Sequence, residues 1–256
     1  MRKEEITYKN MENETTKRYS EIATYYASDW RGINTPELRR EYDKFLSYIG
    51  SPPKIIADIG CGTGKAGKYF LERGFNVVSV DLSFGMLNEL IKNVEPSKLT
   101  QIEPVLANMV TLPFVSCSFD AIWCMASLVH LNQEAKKIAL REFNRILRPN
   151  GFLYLSVQNL LSKKHILRVI ESCFYDIGYD KDNRFYKRQK SLREIASTPF
   201  LSFLIQGYAY LDQRHWFFPT KLEILKGLRT AGFEILESGS PFDQRIYFLA
   251  LKNQNL

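Results

Sequence analysis

Cysteine and histidine are scarce in this chain, with four and three among 256 residues. Cys61, Cys117, Cys124 and Cys173 make no CxxC pair, and no histidine stands at ligand spacing from them. That argues against a zinc site and against a disulfide framework. The cysteines read as buried free thiols, and no metal is expected. Long apolar runs are absent too. Nothing approaches the roughly 20 residues that a bilayer-spanning helix needs. The first residues, Met1-Arg2-Lys3-Glu4-Glu5, are charged and lead into no apolar stretch, so no signal peptide is predicted. These absences predict a cytoplasmic protein with no membrane partner. Internal repeats and low-complexity tracts are missing as well.

What is present suits a globular chain. Hydrophobic residues make up 45% and charged residues 25%, enough for one large domain with or without an insertion. The net charge of +7 is unevenly placed. Residues 160–194 hold nine basic against five acidic side chains, more than half of the excess. The basic segment 181–193 interleaves Phe185 and Tyr186 with its charges. It reads either as a surface for nucleic acid or an anionic substrate, or as a solvated helical face.

Residues 1–50 read as a helical cover. Tyr19, Ile22 and Tyr26 share one helical face, and Leu38, Tyr42, Phe45 and Ile49 share another. Thr35 is the expected N-cap of the second stretch, ahead of Pro36. Ser51-Pro52-Pro53 then leads into the alternation. Apolar strands are predicted at 55–59, 76–80, 102–106, 120–124 and 152–157. Helices are predicted at 65–73, 84–93 (capped by Ser83) and 132–147. This rhythm predicts an α/β fold with a doubly wound, mostly parallel sheet. It fails over 159–218, a mixed polar, basic and aromatic stretch without clear strands, read as an inserted cap or lid. It resumes at Pro219 with a helix at 220–230 and strands at 233–237 and 246–251. The α/β domain is thus expected over 51–158 and 219–256.

One stretch carries chemistry. Ile55-Ile56-Ala57-Asp58-Ile59-Gly60-Cys61-Gly62-Thr63-Gly64-Lys65 is a buried strand, a tight glycine turn and a helix start. Such a turn admits positive φ and lets a ligand approach the backbone, and a helix start favours an anionic group. Gly62 to Gly67 also match the dinucleotide pattern GxGxxG. Asp81 follows at the end of the second strand, where its carboxylate suits ribose hydroxyls. Loop and aspartate together indicate an adenosine cofactor and leave its identity open. Asp58 narrows it, since a carboxylate there repels a pyrophosphate and suits an ammonium or sulfonium charge.

At this point the chain resembles the class I S-adenosylmethionine-dependent methyltransferases. Asp81-Leu82-Ser83-Phe84-Gly85-Met86-Leu87 is similar to the family's second-strand motif. Asn108-Met109 stands where the family has an acidic and an apolar residue. Ser118 to Met125 is similar to its fourth strand, and Phe143 to Gly151 to its helix and turn before strand five. The resemblance spans roughly 19–157 and 214–251, and it implies a seven-stranded Rossmann-like fold. It also implies a role for each residue. Gly60, Cys61 and Gly62 would run along the methionine moiety, and Asp58 would hold its ammonium. Asp81 would take the ribose hydroxyls. Leu82 and Met109 would sandwich the adenine, with Asn108 on its exocyclic amine. The carbonyl of Met125 would face the methionine end. For Leu82, Met109 and Met125, plain core packing is the other reading. A further likeness, to amine and amino-sugar methyltransferases, implies that Tyr19 and Arg31 help hold the cofactor carboxylate, with Tyr25 and Tyr26 as alternatives to Tyr19.

Methyl transfer from a sulfonium is an in-line displacement that needs proximity and alignment, and a base only where the acceptor must lose a proton. His130, after the fourth strand, is the candidate base; a capping or packed histidine is the other reading. Arg214-His215-Trp216-Phe217-Phe218 would either receive a substrate, including an amine by cation–π contact, or pin the lid. The expected activity is transfer of a methyl group to N or O of a small molecule. A tRNA methyltransferase of the wobble-uridine type and a nicotinamide-dependent oxidoreductase are the alternatives.

Overall fold

The computed structural model describes residues 3–28, 35–98, 100–159, 175–179, 185–189, 191, 208–211, 214–240 and 245–253. Three helices come first: α1 (Lys3–Glu21), α2 (Ala23–Ser28) and α3 (Pro36–Ile49). Thr35 caps α3 by accepting from Leu38 N at 3.3 Å, as its sequence requires. Then follow β1 (Ile55–Ile59), α4 (Lys65–Leu71), β2 (Asn76–Asp81), α5 (Phe84–Asn93), β3 (Ile102–Leu106), β4 (Phe119–Met125), α6 (Gln133–Ile146) and β5 (Leu147–Gln158). The chain closes with α7 (Lys221–Thr230), β10 (Phe233–Ser238) and β11 (Arg245–Lys252).

Seven strands form one sheet in the order β10-β11-β5-β4-β1-β2-β3. β3, β2, β1, β4 and β5 run parallel. β11 enters antiparallel beside β5 and pairs with β10. Both faces are covered, which is why these strands read as continuous apolar runs. Alternate residues of β4 show it: Ala121 and Trp123 pack under α3 and α4, whereas Ile122 and Cys124 pack under α6 and α7. The α3 face is aromatic. Trp123 stacks on Tyr154 of β5 at 3.8 Å between centroids, with Tyr42 and Phe45 of α3 against the indole.

Three expectations change. β5 begins at Leu147 rather than at Phe152. Its register slips between Phe119 and Ala121 of β4, and Asn150 takes φ of 62° in the break. Pro149-Asn150-Gly151 therefore lies inside a bulged strand, and the helix it was expected to break already ends at Ile146. Residues 159–218 are not free of strands: β6 (Tyr175–Tyr179) pairs with β7 (Phe185–Gln189), and β8 (Tyr208–Leu211) with β9 (Arg214–Phe217), both antiparallel. The alternation Tyr175, Ile177, Tyr179 is the signal for β6. The thiols are free but unequally placed: Cys124 is buried, Cys61 half-buried and Cys117 exposed, the last in a turn at φ 58°. Cys173 lies outside the described residues. No helix among the described residues is long and apolar enough to cross a membrane.

Candidate functional site

The carboxyl ends of the parallel strands open onto one cleft, beside the point where the chain leaves β1 for β2 on one side and reaches β4 on the other. An open α/β sheet places its ligands at such a switch point. The loop after β1 forms the floor. Gly60 and Cys61 donate backbone hydrogen bonds to the Val80 carbonyl at 2.7 and 3.0 Å. Gly60 and Gly62 have φ of 68° and 55°, which glycine adopts without a Cβ penalty. A Cβ on Gly60 would lie 2.1 Å from Ser127 Oγ. One on Gly62 would meet nothing nearer than the Tyr26 ring at 3.8 Å, so that stretch of backbone stays open to the cleft.

Asp81 ties this loop to the end of β2. Its Oδ2 accepts from Gly62 N and its Oδ1 from Ser83 N, each at 2.8 Å. Burial pushes the carboxyl up, and those backbone bonds pull it back. Each oxygen keeps a lone pair for a hydroxyl donor. Asp58 is 2% exposed and accepts from Gly67 N at 3.1 Å. Burial pushes its carboxyl up to about 7; the Gly67 bond opposes the rise and the negative Asp81 adds to it. After β3, Asn108 Oδ1 accepts from Val110 N at 3.1 Å and its NH2 donates to Glu12 of α1 at 2.8 Å. Ser127 Oγ lies 3.0 Å from the Gly60 carbonyl and 3.1 Å from that of Met125. Ala126 between them takes φ of 59°, a conformation a non-glycine residue holds only where its surroundings impose it.

α1 and β9 close over this floor. Tyr19 Oη lies 2.8 Å from His130 Nε2, and His130 Nδ1 lies 2.8 Å from the His215 carbonyl. A carbonyl only accepts, so Nδ1 carries the proton and Nε2 accepts from Tyr19. Burial lowers the imidazole to about 3 and keeps it neutral. The same burial pushes Tyr19 up to about 12. His130 thus has both nitrogens engaged. β9 alternates. His215 turns to α1, with Nε2 2.8 Å from Glu14 Oε2 and its backbone N–H on Thr15 Oγ1 at 3.0 Å. Arg214 and Trp216 turn to the cleft. The Arg214 guanidinium lies 4.8 Å from the Tyr19 ring centroid and 5.3 Å from that of Trp216. His215 thus ties the segment to α1, while Arg214 and Trp216 face the cleft. The cation–π position expected for an amine substrate is taken by the chain's own Arg214.

The cavity measures about 380 Å³, within the range of roughly 300–1,000 Å³ usual for small-ligand sites. Tyr19, Asp58, Gly60, Cys61, Gly62, Asp81, Leu82, Asn108, Met109, Met125 and His130 all line it. Arg31 lies outside the described residues. Tyr26 reaches the cavity and Tyr25 does not. Sequence reasoning missed Ser127, Glu12 and Gln158. Gln158 directly follows the apolar run of β5, which is a usable signal. Ser127 and Glu12 have none, because their partners lie 67 and 96 residues away. The lining suits a group with an adenosine end and a cationic amino-acid end. It offers a paired ribose acceptor at Asp81 and an open glycine backbone. At Asp58 it offers a buried carboxylate whose raised titration a cation would lower.

Comparison with known proteins agrees with this chemistry. Residues 56–151 match a family described as "Methyltransferase domain". An uncharacterised protein of Methanocaldococcus jannaschii is 30% identical over 207 residues, covering 78% of this chain and 71% of that one. A probable tRNA methyltransferase 9B of Homo sapiens is 32% identical over 141 residues, 54% of this chain and 28% of that one. Among solved structures, 1,6-didemethyltoxoflavin-N1-methyltransferase of Burkholderia thailandensis, holding its substrate and S-adenosylhomocysteine, shares the fold. Its TM-score is 0.58 at 19% identity, over 95% of this chain and 90% of that one.

Proposed function

The chain belongs to the class I S-adenosylmethionine-dependent methyltransferases, and from that premise we propose that it methylates a nitrogen or oxygen of a small molecule by in-line displacement. S-adenosylmethionine is the methyl donor of the family, and the nicotinamide alternative falls with that membership. When bound it supplies an activated methyl group on a positively charged sulfur. The chain's own residues orient it and exclude water. In our reading the backbone of Gly60, Cys61 and Gly62 passes along the methionine part. Asp58 receives the ammonium, and Asp81 the two ribose hydroxyls. Leu82 and Met109 hold the adenine between them. Asn108 Oδ1 keeps one lone pair for the adenine amine, because Val110 N uses only the other. Tyr19 stands at the amino-acid end, and the Met125 carbonyl faces the sulfur. His130 acts here as a positioning residue that holds Tyr19 in the roof.

The observation that carries a small acceptor is the roof itself. Tyr26, His130 and Trp216 line the same cavity as the donor-side residues, and a space of that size beside α1 and β9 suits a small acceptor. The basic segment 181–193 is the feature that would serve tRNA instead. A labelled-methyl transfer screen over amines, hydroxyls, carboxylates, thiols and tRNA tests the proposal. Transfer to a small molecule is the expected result. Transfer to tRNA alone, with steeply salt-dependent binding, would replace it. A cytoplasmic location belongs to the same proposal.

A further inference from the structure

Two side chains on the far side of the cavity carry polar atoms with nothing to bond. Trp216 Nε1 and Gln158 Oε1 are shielded from solvent, and neither has a hydrogen-bond partner among the described residues. Such an atom is costly to leave unmet, and a ligand that meets it removes the cost. The roof around them is spent on itself: Arg214 hydrogen-bonds the Tyr19 hydroxyl, which donates to His130. Tyr42, Thr63 and Trp123 have unmet atoms too, beside Asp58 and the glycine loop.

Their position separates Gln158 and Trp216 from the donor-side residues. Met125 of β4 pairs with Ser156 of β5, and Gln158 follows on the same face of the sheet. β5 stands one strand further than β4 from β1 and its glycine loop, so Gln158 projects beyond Met125. Trp216 comes from the opposite side. Its ring lies 4.7 Å from His130 and 5.9 Å from Phe218 between centroids, against the core that α6 covers. Gln158 and Trp216 thus bracket the β4–β5 side of the cavity, away from Asp81, Leu82 and Asn108 at the β2–β3 side.

What this bracket takes follows from its atoms. The indole N–H only donates, whereas an amide offers an oxygen that accepts and an NH2 that donates. A half-turn about the last bond of Gln158 exchanges the two. A carboxylate takes the NH2 and leaves the oxygen unmet. An ammonium takes the oxygen and leaves the NH2 and the indole unmet. An N–H beside a C=O meets both ends of the amide in either orientation. Resting on the methyltransferase reading, we propose that Gln158 and Trp216 select the acceptor. It is a neutral compound with an amide-like N–H/C=O edge on Gln158 and a second hydrogen-bond acceptor on Trp216 Nε1.

Glutarimide carries that edge and a second carbonyl; N-methylglutarimide lacks the N–H. Cyclohexanecarboxylate and cyclohexylamine are the charged controls. Each is titrated into the full-length protein loaded with S-adenosylhomocysteine and followed by saturation-transfer NMR. Glutarimide should bind about tenfold more tightly than its N-methyl derivative, and more tightly than either charged ring. Gln158→Leu should bring the two imides within about twofold of each other. Trp216→Phe should weaken both by about tenfold and keep their ratio, because both still offer carbonyls. S-adenosylhomocysteine affinity should stay within about twofold of wild type in each variant. Gln158→Met serves if the leucine variant folds poorly.

Equal binding of the two imides by the wild-type protein overturns the proposal. So does a charged ring that binds as well as glutarimide, or an imide preference that survives Gln158→Leu. A parallel loss of S-adenosylhomocysteine overturns it too, by assigning the residue to the donor. If the wild-type protein binds no S-adenosylhomocysteine at all, it is the methyltransferase reading of the cavity that fails.

Discussion

Asp58 lies at the floor of the cleft with a carboxyl that titrates near 7. In the unfolded chain the same group titrates at about 4. The folded state therefore binds the extra proton between about pH 4 and 7, and the donor-free protein loses stability as pH rises through that window. Asp58→Asn removes the titration and keeps an oxygen for Gly67 N. The variant should exceed wild type in unfolding free energy at pH 8 and match it near pH 4, as read by urea titration. It should also bind S-adenosylhomocysteine about tenfold or more weakly, because the ammonium loses its counter-charge. Equal stability of the two proteins at pH 8 would sink this account. At this scale the floor of the cleft was legible, because Asp58, the glycines and Asp81 fall at fixed offsets along one strand-helix-strand unit. The roof was not. That Tyr19 meets His130, 111 residues on, leaves no mark in local sequence.

Elements were legible where their ends carry caps. Ser83 was expected to start α5, and its Oγ accepts from Met86 N at 3.3 Å. The same hydroxyl lies 2.8 Å from Ser20 Oγ, so the cap also ties α1 to α5. Gly85 allows that approach, since a Cβ there would come within 2.7 Å of the Ser20 backbone. Ser83→Ala should cost about 1 kcal/mol for the cap, with more from the stranded Ser20 hydroxyl. For a chain of this size each kcal/mol lowers Tm by roughly 2–4 °C. Differential scanning calorimetry checks the shift, and an unchanged Tm would mean the cap carries no stability. The elements that escaped the sequence are those whose pairing is antiparallel and short. β6 to β9 hold four or five residues each, too few for periodicity to stand out against basic and aromatic neighbours.

At the scale of the whole molecule, the sheet, α1 and β9 share one cavity. A ligand bound only by the folded state adds about 2.7 kcal/mol at a hundred times its Kd. Saturating S-adenosylhomocysteine should therefore raise Tm by roughly 5–10 °C, and NAD should leave it unchanged. A thermal-shift assay decides, and stabilisation by NAD instead would contradict the donor assignment. The α/β class, the glycine loop and the two aspartates beside it followed from the sequence alone, because apolar periodicity and glycine spacing are local consequences of strand, turn and helix geometry. The order of the strands, the antiparallel entry of β11 and the roof over the switch point came only with the tertiary structure. So did the meeting of Tyr19, His130, Arg214 and Trp216 at one wall. These depend on contacts between residues far apart in the chain, which no local pattern in the sequence records.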